Sequence, residues 1–171
     1  MRRAVDGRRV IVVASAIVCL VFLIGAKAQE DAALAKALTG VTVSLEQGLR
    51  ASGAQGTPIS GKFEVEEGKL QLSVYTTKAG KFSEVVVDYK TGKIAKTDAI
   101  TSGEDLVAAK AQSAALGTAK GTLLDAVARA RKANAGARAV SATAALEDGH
   151  PVAKIVVLQG QTFKTVSEKL D

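Results

Sequence analysis

Residues 63–94 constrain this chain more than any other stretch. Three runs of alternating apolar residues are separated by Glu67-Gly68-Lys69 and by Lys78-Ala79-Gly80-Lys81, and a fourth short run follows Lys90-Thr91-Gly92. Alternation punctuated by glycine turns predicts an antiparallel meander. In Phe63-Glu64-Val65-Glu66 and Leu70-Gln71-Leu72-Ser73-Val74 the apolar residues take every second position, so they share one face of the sheet. That face needs a cover, which helices on either side of the meander are expected to supply.

Ser44 and Gln47 are spaced as a capping box, ahead of Leu45 and Leu49, with Gly53 as the expected stop. Gly48 inside this helix costs about 1 kcal/mol relative to alanine, a cost that makes sense if the helix backbone lies close on the sheet. Pro58 places residues 54–60 in a loop or an edge lead, because proline cannot donate to a central ladder. Thr101, Ser102, Glu104 and Asp105 form a helix-start cluster before an alanine-rich stretch that Gly117 ends.

The pattern then recurs. Thr122 and Asp125 open another capped helix over residues 123–134, with Gly136 as its stop. Three apolar runs follow, at residues 137–146, 152–158 and 162–166. At an offset of about 80, Gly68 aligns with Gly149, Val74 with Ile155, Gly80 with Gly160 and Phe82 with Phe163. The second copy ends at Asp171 with no counterpart to Lys90-Thr91-Gly92-Lys93-Ile94. The expected class is α+β: two helix-plus-antiparallel-meander units, residues 41–97 and 122–171, packed together and joined by a helical linker over residues 98–121. Aromatic residues make up only 4% of the chain, so the core must consist of small side chains. Units of about 60 residues are marginal alone, which favours their packing on each other.

Residues 1–28 read as an export signal. An arginine-rich start precedes an unbroken apolar run over residues 10–26, and Ala26-Lys27-Ala28 gives a small-x-small cleavage site. Cleavage after Ala28 is expected, with an uncleaved anchor as the alternative because the run reaches the low end of a membrane span. Either way the remainder is delivered to the periplasm or secreted, or held at the inner membrane facing the periplasm. Cys19 is the only cysteine, and Val18 before it stands where a lipidation site wants a small residue. The exported part therefore has no disulfide, thiol nucleophile or cysteine metal site. This segment carries five basic residues against Asp6 alone, +4 of the net +6. The rest has no basic run and no aromatic residues interleaved with basic ones, which excludes an ordinary nucleic-acid surface.

Val43-Ser44-Leu45-Glu46-Gln47, the Glu66-Glu67-Gly68-Lys69-Leu70 turn and, above all, Val85-Val86-Val87-Asp88-Tyr89-Lys90-Thr91-Gly92-Lys93-Ile94 resemble the PepSY domain family, whose closing strand and turn reads V-D-x-x-T-G-K-I/V. The match covers residues 41–96 well and 120–171 more weakly, so the chain resembles a tandem of PepSY-like domains. The resemblance implies a helix laid on an antiparallel sheet, in an exported or membrane-tethered protein. It also implies a protein partner in the cell envelope, a peptidase being the class such domains restrain, and it brings no catalytic motif and no cofactor.

The residues themselves offer little chemistry. His150, the only histidine, sits beside Asp148 in a Gly-Pro turn, with no G-x-S-x-G elbow to supply a nucleophile. Glu64, Glu66 and Glu67, with Asp88 or Asp148, offer oxygens for a hard cation, but they alternate with core residues as a wet strand face does. There is no phosphate-binding glycine motif. Arg129, Arg131, Lys132 and Arg138 form a basic patch that reads as the exposed side of an amphipathic helix. No catalytic, cofactor or metal residue is assigned. The expected function is a non-enzymatic binding module presenting a sheet face or an edge guarded by Lys62, Lys69 and Lys81. The alternative is a carrier of a small ligand or metal between the two halves.

Overall fold

The computed structural model describes the backbone from Ala16 onward and side chains from Lys27 onward. Most of the expected export signal thus lies outside the described residues. Helix α1 (Ala16–Ala37) runs without a break through Ala28, the expected cleavage point, and gives way to a 3-10 turn at Leu38–Gly40. Among the described residues no helix is long and apolar enough to cross a membrane.

The alternating runs form strands β1 (Thr57–Glu66), β2 (Lys69–Lys78), β3 (Lys81–Val87), β4 (Ile94–Ile100), β5 (Arg138–Glu147), β6 (His150–Gln159) and β7 (Thr162–Lys169). All belong to one antiparallel sheet of order β4-β3-β2-β1-β5-β6-β7. The first strand of each half is therefore central and the last strand is an edge. Only Ser60, Gly61 and Lys62 of β1 pair with β5, opposite Thr143, Ala142 and Ser141. The class is α+β, as expected.

Helix α2 (Leu45–Ser52) and helix α4 (Leu123–Ala133) cover one face. Under them the core runs from Leu72, Val74, Val85 and Val87 to Ala142, Ala144, Ile155 and Val157. Small residues let the helices settle: a Cβ on Gly48 would stand 2.6 Å from a Leu72 methyl, and one on Gly61 3.0 Å from a Leu49 methyl.

Helix α3 (Gly103–Gly117) corrects the expected linker over residues 98–121. Residues up to Ile100 complete β4, so the first half extends past residue 97. Alternate residues Ser60, Lys62, Ser73, Tyr75, Ser141 and Thr143 line a cavity together with Asp105, Ala108 and Gln112 of α3. The helix therefore lies across the central strands on the face opposite α2 and α4. It is a third layer that buries Ala109 and Ala115.

Several local expectations shift for physical reasons. Glu67-Gly68, Ala79-Gly80 and Asp148-Gly149 are turns in which both residues have positive φ, 49° and 75°, 51° and 74°, 52° and 81°. Such turns match strand twist and leave their neighbours in the ladder. His150 and Pro151 therefore belong to β6, where a turn was expected. Pro58 likewise lies within β1, just before a bulge at Ile59. Gly53 is right-handed (φ −56°), so α2 does not end on a left-handed glycine. Ser102 is the N-cap of α3 but makes no side-chain cap, and Asp105 instead accepts a hydrogen bond from Tyr75 Oη at 2.8 Å.

Candidate functional site

The turn between β3 and β4, residues 88–93, is built as a clamp. The Asp88 carboxylate accepts hydrogen bonds from the backbone of Thr91 (2.7 Å) and Lys90 (2.9 Å) and from the Thr91 hydroxyl (3.0 Å). Those bonds hold its pKa below the ordinary carboxylate value. Gly92, at φ 73°, returns the chain toward β4 with Val43 against it. The Tyr89 carbonyl is thereby aimed at the lead into α2 and accepts hydrogen bonds from Thr42 N (3.2 Å) and Val43 N (3.1 Å). Thr42 Oγ1 donates to Lys90 O at 2.6 Å. Next along the chain, Ser44 and Gln47 complete the expected capping box.

The second half has its own version. Lys120 N and Gly121 N both donate to Leu170 O, at 2.7 and 2.8 Å. Thr122 caps α4 by accepting from Asp125 N and donating to Asp125 Oδ2. A carbonyl clamp is thus present in both halves.

The other charged residues singled out from the sequence are scattered. His150 is exposed and lies 3.3 Å from Asp171 rather than beside Asp148, which sits in the hairpin turn. Glu64 pairs with Lys62 at 2.6 Å, and Glu66 and Glu67 project at the first turn. Among the described residues no three His, Cys, Asp or Glu are grouped as metal ligands. The basic patch is largely committed to structure: Arg129 bonds Glu168 and Lys169 O, Arg131 bonds Glu46, and Arg138 bonds Val41 O. Lys132 remains exposed.

Cavities lie against the sheet and between the halves, and three of them hold residues that bear on function. A polar one, of about 180 Å³, is lined by Thr42, Glu46, Arg131 and Arg138. There the Arg131 guanidinium lies 2.6 Å from Glu46, which is 7% exposed. Burial pushes the Glu46 carboxyl up, but hydrogen bonds from Arg131, its own backbone and Ser44 outweigh burial and hold the pKa below 4.5. A second, of about 330 Å³, is lined by Leu49, Pro58, Leu116, Leu123 and Leu124. The third, about 290 Å³, is the hydroxyl-rich cavity beneath α3. In it the Tyr75 phenol is pushed up by burial and by its bond to Asp105.

The sheet edges are β4 and β7. Lys62, Lys69 and Lys81 lie on β1, β2 and β3, each flanked by strands on both sides, so they guard no edge. β4 carries a bulge at Ala95 and a Lys96–Asp98 pair at 2.7 Å. β7 is different: eight consecutive pairs run from Gln159↔Thr162 to Val152↔Lys169 without a bulge. Across the short turn Gly160-Gln161 the closing pair is hydrogen-bonded, and alternation then turns the backbone of Phe163, Thr165 and Ser167 outward. Lys164 is tied to Asn134, the C-cap of α4, and Glu168 to Arg129 within it. The β7 edge was not identifiable from the sequence, because edge status depends on the strand order.

No protein-family model and no curated protein matches the chain. Among solved structures it is similar to a candidate lipoprotein from Clostridium difficile 630, at 12% identity and a TM-score of 0.39, over 67% of this chain and 75% of that one. A likeness this loose carries no argument about function.

Proposed function

We propose that this chain is an exported, non-enzymatic binding module of two PepSY-like units that takes an extended segment of an envelope protein onto its β7 edge. The observation that carries the reading is the unbulged β7 ladder, whose outer edge pairs with no other strand among the described residues. Extended segments add to such edges by main-chain hydrogen bonds, with alternate side chains giving selectivity. The clamp, cap and bulge shared by the two halves support a tandem of one unit. The arginine-rich, apolar N-terminus supports export to the periplasm or beyond. A peptidase is the partner class, from the resemblance of residues 85–94 to the PepSY closing turn.

A photocrosslinking side chain at Ser167 of the full-length protein, in its own envelope, tests this. The reading expects a specific protein adduct that Thr165→Pro abolishes, since that change removes an outward donor and leaves the bonds to β6 intact. No adduct, or one indifferent to Thr165→Pro, sinks it. A peptidase in the adduct, slowed by the purified protein, supports the finer assignment.

The cavity of about 330 Å³ between the halves favours a second reading, a carrier of a small apolar ligand. Native mass spectrometry of protein taken from cells distinguishes it: a stoichiometric small-molecule adduct supports the carrier, and a bare mass rejects it.

A further inference from the structure

We propose that β4 is a self-association surface at which two copies of this chain join their sheets edge to edge. The strand reads Ile94-Ala95-Lys96-Thr97-Asp98-Ala99-Ile100. About Thr97 it is its own complement. Laid antiparallel on a second copy with Thr97 opposite Thr97 on the axis, Lys96 meets Asp98 once on each side of it. A two-fold dimer requires this kind of self-complementary patch.

The phase of the ladder agrees. The turn Ala79-Gly80 makes Lys78 and Lys81 a hydrogen-bonded pair, so alternation turns Phe82, Glu84 and Val86 toward β4. Their partners Ile100, Asp98 and Lys96 then bond to β3, which leaves the N–H and C=O groups of Thr97 and Ala99 pointing away from the sheet. Thr97 against Thr97 is thus a hydrogen-bonded pair. Lys96 and Asp98 of facing copies fall in the non-hydrogen-bonded pairs beside it, where side chains come closest.

Charge is satisfied in both states. In the single chain Lys96 and Asp98 pair with each other at 2.7 Å, with side chains 66% and 47% exposed, and on association they exchange partners across the axis. β7 also carries a lysine and a glutamate flanking its centre, but Lys164 and Glu168 are held by Asn134 and Arg129. The bulge at Ala95 ends the regular ladder, so the contact is short and the dimer weak. It leaves both β7 edges at the ends of the doubled sheet and is independent of what binds there.

Sedimentation equilibrium of the full-length chain in density-matched non-ionic detergent reads the association. Asp98→Lys sets lysine against lysine twice and Lys96→Asp sets aspartate against aspartate, so each weakens self-association by at least about tenfold. Mixing the two variants restores it, because every lysine then faces an aspartate in the other chain. The Lys96→Asp/Asp98→Lys double variant associates as the wild type does. Association through the apolar N-terminus is indifferent to these changes, and unchanged melting curves confirm that the variants fold. The proposal is overturned by a wild type that stays monomeric at its highest soluble concentration. Single variants that associate like wild type, or a mixture no tighter than either alone, overturn it equally.

Discussion

Gly48 shows how single residues set the spacing between helix and sheet. Alanine there gains about 1 kcal/mol of helix propensity, but its Cβ would press on Leu72, which is fully buried with nowhere to turn. At the corresponding positions of the second half stand Ala126 and Ala153, both buried: two small residues where the first half has glycine against leucine. Gly48→Ala is therefore expected to lose about 1–3 kcal/mol in denaturant melts, and adding Leu72→Val to recover part of it. A stabilised Gly48→Ala contradicts the packing. Glu46 makes a prediction in pH. Its folded pKa is depressed below 4.5, so the stabilisation is full above that value and is lost as pH falls through the lower folded value. Glu46→Gln is expected to cost about 1 kcal/mol at neutral pH, limited by the half-exposed Arg131. The gap between the two melting temperatures should close on acidification; a gap constant from pH 7 to pH 3 rules out the ion pair as its cause.

Elements repeat more faithfully than side chains do. The bulges fall at Ile59 and Val140, 81 positions apart, and the clamping carbonyls at Tyr89 and Leu170 are separated by the same 81. The helix caps Ser44 and Thr122 differ by 78, as do the clamped amides Thr42 and Lys120. Strands and helices each keep one spacing because backbone hydrogen bonds, not side-chain identity, define the unit. Much of this was legible in sequence: the apolar alternation gave the strands, and Ser44/Gln47 and Thr122/Asp125 gave the helix starts. The second clamp was not, since Leu170 contributes only a carbonyl and has no sequence signature. Nor was the role of α3, whose alanine-rich sequence carries no marked apolar face and reads equally well as a connector. The clamp predicts an asymmetry: Asp88→Asn loosens the Tyr89 turn and should lower the melting temperature, while Asp148→Asn, which keeps a residue suited to the positive φ of a turn that clamps nothing, should leave it nearly unchanged. Equal losses contradict it.

Across the whole molecule, two halves are joined by three residue pairs of β1 and β5, yet helices on both faces tie them together. α2 and α4 meet through Glu46 and Arg131 on one face, while α3 spans the central strands on the other. This arrangement puts β4 and β7, last strands of their halves, at opposite ends of one sheet, the geometry on which both proposed surfaces depend. The central claim is that one unit, closed by the same carbonyl clamp, is used twice within a single cooperative sheet. Native-state hydrogen exchange tests it most directly, read at the clamped amides Thr42 and Val43 in the first half and Lys120 and Gly121 in the second. Both pairs are predicted to exchange only by global unfolding, with the same free energy and the same denaturant dependence. Protection at Thr42 and Val43 with rapid exchange at Lys120 and Gly121 would contradict the account.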